Sequence, residues 1–151
     1  MTYSVDTSVF IEAWVRHYPP DVFPRVWERF ENGIAHGKLK SVAEVYRELE
    51  QHGDELLDWA KQRRTKFIPL TTAIQRQAMR ILAQFPSLAK ADSTRRNADP
   101  FVIALAAEQG LTVVTYEPSK PTKPRIPDVC QALEIPCITL VQLFRDEKWQ
   151  F

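Results

Sequence analysis

Four carboxylates, Asp6, Glu48, Asp99 and Glu117, fall at points of the chain where a strand should end or a helix begin. Clustered carboxylates repel one another, and they stay ionised together near neutral pH only when a cation offsets their charge. Hard oxygen donors of this kind select Mg²⁺ or Mn²⁺. Such ions, singly or in a pair, activate water and stabilise charge developing on a phosphodiester. Hydroxyl residues accompany the acids. Thr7 and Ser8 follow Asp6, and Thr115 lies two residues before Glu117, on the same side of an extended chain. These three are placed to orient a carboxylate or a water.

Each acid also has an ordinary structural role to compete with. Asp6 and Asp99 both read as helix N-caps, Asp99 with Pro100 behind it. Ser41 and Glu44 read as a capping box, which gives Glu44 a structural task and leaves Glu48, one turn further on, as the preferred ligand of the two. Glu117 reads alternatively as a solvated loop residue, and Asp92 as a turn residue. No phosphate-binding glycine loop, no H-E-x-x-H and no nucleophile elbow is present. His17, His36 and His52 sit in polar surroundings and read as surface residues.

The elements that must position these acids alternate. Tyr3 to Val5 reads as a strand, and Val9, Phe10, Ala13 and Trp14 as the inner face of a helix. A helix opens at Pro24 and is expected to stop at Asn32-Gly33. A strand near residues 38–40 precedes one long helix from about Val42 to Arg63. A brief extended run at 67–70, a helix opened by Thr71-Thr72 and a polar loop over 86–98 follow. The apolar stretch from Pro100 to Gln109 predicts a buried helix capped by Gly110. Residues 111–116 form a β-branched strand, followed by a proline-rich loop, a helix near Asp128–Leu133, a strand near 137–139 and a last helix from Val141. This order predicts an α/β fold, a three-layer α/β/α domain over 1–151 with a central, mainly parallel sheet of four to five strands. Ligands of such sheets bind at the carboxyl ends of the strands.

The formal charge of +1 exerts no global pull toward nucleic acid, so any such role must rest on local patches. Lys61, Arg63, Arg64 and Lys66 form one; Lys120, Lys123 and Arg125 form the other, on the loop after Glu117. Cys130 and Cys137 read as reduced, buried residues. No apolar run approaches the roughly 20 residues of a membrane span, so no membrane partner and a cytoplasmic location are expected.

The motifs together resemble those of PIN-domain ribonucleases, more narrowly VapC-type toxins and a related branch of short prokaryotic PIN-like proteins of uncharacterised function. V-D-T-S-V-F-I-E at 5–12 resembles the opening D-T-[NS] motif, and R-E-L at 47–49 the glutamate of the second-strand helix. A-D-P-F-V-I-A-L-A at 98–106 is similar to the third acid's motif and V-V-T-Y-E at 113–117 to the closing T-x-[DE]. R-I-P-D-V-C-Q-A-L and Y-P-P-D-V-F-P-R-V-W look particular to the branch. The resemblance implies that Asp6, Glu48, Asp99 and Glu117 bind one or two Mg²⁺ or Mn²⁺ ions and that single-stranded RNA is cut to leave a 5′-phosphate. Thr7, Ser8 and Thr115 would orient the site, while Ser8, Lys120, Lys123 and Arg125 are candidates for RNA phosphate contact. It also implies a small cognate antitoxin. Trp14, Trp27, Trp59, Trp149 and Phe151 supply aromatics for the core, for an antitoxin surface or for a homodimer. The fourth acid departs from the usual aspartate by one methylene. A catalytically weak RNA-binding or protein-interaction module, and a small-molecule phosphoesterase, are the alternatives.

Overall fold

The computed structural model describes residues 1–52, 54–89, 97–120 and 122–151. Asp92 lies outside the described residues, as does much of the expected 86–98 loop. The elements run β1 (Tyr3–Val5), α1 (Thr7–Glu12), a π-helical turn (Ala13–His17), α2 (Pro24–Ala35), β2 (Leu39–Lys40), α3 (Ala43–His52) and α4 (Glu55–Lys61). Then follow α5 (Thr72–Gln84), α6 (Asp99–Gln109), β3 (Thr112–Val114), α7 (Ile126–Ala132), β4 (Cys137–Ile138) and α8 (Leu140–Asp146). The four strands form one all-parallel sheet in the order β2-β1-β3-β4, with Tyr3 opposite Leu39 and Thr112, and Val113 opposite Cys137. A single parallel bridge, Val42 to Ile68, adds a rudiment of a fifth strand beyond β2.

Helices cover both faces, as a parallel sheet requires. Ser4 turns toward α6 and donates to the Val102 carbonyl at 2.8 Å. Tyr3, pointing the other way, reaches Glu147 just beyond α8 at 2.7 Å. On α6 the residues Val102 to Leu105 are wholly buried, which explains why this helix has no polar stripe, and Gly110 ends it with φ +67°. The tryptophans mostly fill the core. Trp27 lies 4.7 Å from Trp14, 4.9 Å from Trp59 and 5.0 Å from Phe30, all edge to face.

Three expectations are corrected. The long helix is two, because Asp54 starts α4 by accepting from the amides of Leu56 (3.1 Å) and Leu57 (3.4 Å). Asn32-Gly33 does not stop α2, which continues to Ala35; Gly33 is there for close approach, since a Cβ would sit 2.7 Å from Leu39 Cγ. Ser41 and Glu44 make no capping box. The Ser41 hydroxyl donates to the Val5 carbonyl at 3.0 Å, Glu44 pairs with Arg47 at 3.2 Å, and the amide of Ala43 is satisfied by the Ile68 carbonyl at 2.7 Å. The first basic patch is also thinner than its sequence, because Arg63 pairs with Glu31 and lies over the Trp59 ring at 4.4 Å.

Candidate active site

β1 and β3 are the central neighbours of the sheet, and the strand order reverses between them: the chain leaves β1 toward β2 on one side, while β3 and β4 lie on the other. A crevice opens at the carboxyl ends of strands at such a switch point. Asp6 follows β1 directly and Thr115 follows β3 directly, so backbone topology alone sets them side by side. The Asp6 amide donates to the Val114 carbonyl at 3.0 Å, fixing that register.

Asp6 occupies the N-cap position of α1 with extended dihedrals, yet its carboxylate takes no amide of the helix. Oδ2 instead accepts from the hydroxyls of Ser8 at 2.6 Å and Thr115 at 3.0 Å. The residue is 2% exposed. Burial, then the negative charge of Glu117, push its carboxyl up to about 6; the two hydroxyls act against this and Glu48 adds to it. The fold therefore holds a carboxylate where negative charge is already in excess.

Glu48, on α3, ties three elements together. Its Oε1 accepts from the Thr7 hydroxyl at 3.0 Å, at the start of α1, and from the Ala98 amide at 3.1 Å, at the start of α6. Asp99 is the first residue of α6 and not its cap, and it is 4% exposed. Its own amide donates to Asn97 Oδ1 at 3.3 Å, and the cap position expected of Asp99 is held by Ala98, without a side-chain cap. Glu117 receives its position from Thr115, whose hydroxyl accepts the Glu117 amide at 3.0 Å. Its Oε2 accepts the amide of Ile126, the first residue of α7, at 3.3 Å.

All four acids are thus linked by short paths. Thr115 joins Asp6 to Glu117, and the adjacent Thr7 joins Asp6 to Glu48, whose amide partner Ala98 precedes Asp99. Among the described residues, no three His, Cys, Asp or Glu side chains lie close enough together to form a ready-made metal cage. The four acids present only oxygen donors, and the Asp6 carboxyl is raised first by burial and then by the charge of Glu117.

Ser8 is committed to the acids, since it also accepts the Tyr116 amide at 3.0 Å and stands 3.4 Å from the Thr115 hydroxyl. The loop carrying Lys120, Lys123 and Arg125 begins at Glu117 and is organised by Asp128. That carboxylate accepts from the backbone amides of Lys120 (2.8 Å) and Arg125 (2.9 Å) and from the Ser119 hydroxyl. The Lys120 amide first, then Ser119 and Arg125, hold the Asp128 carboxyl below its ordinary range. Lys120 and Lys123 are exposed and Arg125 partly so.

Sequence reasoning missed Asn97, the organising role of Asp128 and the pairing of His17 with Tyr116, whose rings stack at 5.2 Å between centroids and 4° between planes. Asn97 two residues before the helix and Asp128 at its third position were local signals open to reading. Nothing in spacing could pair His17 with Tyr116. No described helix is long and apolar enough to cross a membrane.

No curated protein matches the sequence. The model of a family described as a domain of unknown function, DUF4411, matches residues 3–151, and the chain belongs to that family.

Proposed function

We propose that the protein is a metal-dependent endoribonuclease of PIN-like type that cleaves single-stranded RNA, the toxin of a pair whose small antitoxin covers the acidic crevice. The observation that carries the reading is Asp6: a buried carboxylate at the switch point of a parallel sheet, held by two hydroxyls and crowded by Glu117 and Glu48. Asp6, Glu48, Asp99 and Glu117 would hold Mg²⁺ or Mn²⁺. When bound, such an ion supplies Lewis acidity, acidifying water and offsetting charge on the phosphodiester. Ser8 and Thr115 fix the Asp6 carboxylate, and Thr7 fixes that of Glu48, so the donors need little reorganisation. Lys120, Lys123 and Arg125 neutralise flanking phosphates, which makes binding fall with salt.

A second reading, a PIN-like RNA-binding or interaction module with little turnover, draws support from Glu48 and Glu117. Both already accept a backbone amide at a helix start, and these bonds compete with metal ligation. Degradation of an end-labelled RNA pool with Mn²⁺ separates the two, using Asp6→Asn and Asp99→Asn as controls. The nuclease reading expects cleavage that EDTA abolishes and each variant reduces at least 100-fold, on the order of one transition-state contact. Binding without cleavage supports the module instead. Variants cutting at the parent's rate refute the assigned acids.

A further inference from the structure

The ring of His17 lies parallel to that of Tyr116, with an offset of stacked geometry. The aromatic pairs around Trp27 meet edge to face, at 76° to 85°, as core packing favours. Among the ring pairs of the described residues, His17 with Tyr116 is the one within 4° of parallel. The His17 side chain keeps 50% of its surface exposed although its ring stacks on Tyr116 and lies 6.3 Å from that of Tyr18. Glu12 stands 3.9 Å from the His17 Nε2 and pairs with Arg16 at 3.3 Å.

Two further observations bear on this stack, the first of which ties the Tyr116 backbone to the acids. Tyr116 stands between Thr115 and Glu117, and its amide bonds to the Ser8 hydroxyl that itself bonds to Asp6. His17 is delivered by the π-helical turn, in which the Tyr18 amide reaches back five residues to the Ala13 carbonyl at 2.7 Å. An extra residue per turn rotates His17 away from the direction an unbroken α1 would give it, and single π-helical turns are frequent at functional sites. We infer that His17 and Tyr116 form a stacking platform for one unpaired nucleobase of RNA flanking the phosphate at the carboxylates. A planar π-face beside a cationic loop suits a base on a single strand, where every base offers a face regardless of sequence. The identity of the ligand rests on the ribonuclease reading.

The test uses the full chain and a single-stranded RNA oligonucleotide carrying 2-aminopurine, titrated in EDTA so that the strand stays intact. The parent should quench the fluorophore on binding. His17→Ala, at a half-exposed position, should weaken binding roughly 5- to 150-fold and abolish the quench, while His17→Phe retains it. Circular dichroism checks that each variant is folded. If His17→Ala binds and quenches as the parent does, the platform is refuted, and metal-dependent cleavage by that variant shows the ribonuclease reading intact. If the parent neither binds RNA in EDTA nor cuts it with Mn²⁺, both fall. A His17-dependent quench without metal-dependent cleavage supports the platform and refutes only the enzyme.

Discussion

Thr115→Val isolates what one buried hydroxyl contributes to the crevice. Valine keeps the shape, so no cavity opens, but the variant loses the donor to Asp6 at 3.0 Å and the acceptor for the Glu117 amide at 3.0 Å. A hydrogen bond to a charged group is worth about 1.5–3 kcal/mol and a neutral one about 1 kcal/mol. Ser8 still serves Asp6 at 2.6 Å, and Glu117 is partly exposed, so water recovers part of the loss. The expected net cost is about 2–3 kcal/mol, or roughly 5–10 °C in Tm for a chain of this size. Thr115→Ser keeps the hydroxyl and loses a buried methyl, at about 1 kcal/mol. The hydroxyl favours ionised Asp6, so its removal raises that carboxyl further above its unfolded value of 3.8. The deficit of Thr115→Val should therefore grow as pH rises through about 6. Urea denaturation followed by circular dichroism in EDTA, at pH 5 and pH 7.5, measures both variants. A valine variant as stable as the serine variant at pH 7.5 would falsify the account of Asp6 as a carboxylate held by donors.

Two other outcomes follow from residues away from the crevice. Gly33→Ala gains about 1 kcal/mol of helix propensity but forces a Cβ to 2.7 Å from Leu39 Cγ, in a residue only 2% exposed. Overpacking of that kind costs about 1–3 kcal/mol. A net loss is expected in parent background and a gain in Leu39→Ala background, and equal effects in the two denaturation series would rule out the clash. The Glu147 carboxyl is pushed up by burial, but hydrogen bonds from Lys38 and Tyr3 outweigh this and set it below its ordinary 4.5. The unfolded chain then binds the proton first, so this contribution is present above pH 4.5 and fades as pH falls through the lower folded value. The stability gap between the parent and Glu147→Gln should be level from pH 7 to 5 and narrow by pH 3.5; a gap that widens on acidification refutes the pairing.

Local chemistry made part of this fold readable. Pro24 at a first helical position, Thr71 accepting the Ile74 amide at 3.2 Å and Gly110 in the left-handed region are each set by their own neighbours in sequence. The apolar run of α6 announced its burial because only a helix between sheet and solvent-side helices can be apolar all round. What resisted reading depends on distant partners. Periodicity carries α3 into α4 without a break, and Asp54 passes for another polar residue of one helix. Ser41 looks like a cap until the Val5 carbonyl, 36 residues earlier, claims its hydroxyl. At the site, the positions of the acids followed from strand ends, but what each carboxylate does did not. Glu48 and Glu117 are oriented by amides 50 and nine residues away.

The outer strands of the sheet have a consequence for how copies of the chain can meet. β2 and β4 contribute two residues each, and the margin beside β2 is partly taken by the Val42–Ile68 bridge. A neighbouring molecule adding a strand at either margin would find few rungs to pair with, which is how natural sheets avoid growing into one another. An assembly of this protein is therefore expected to rest mainly on side chains, open to tuning by surface substitution without disturbing the parallel ladder that carries Asp6 and Thr115.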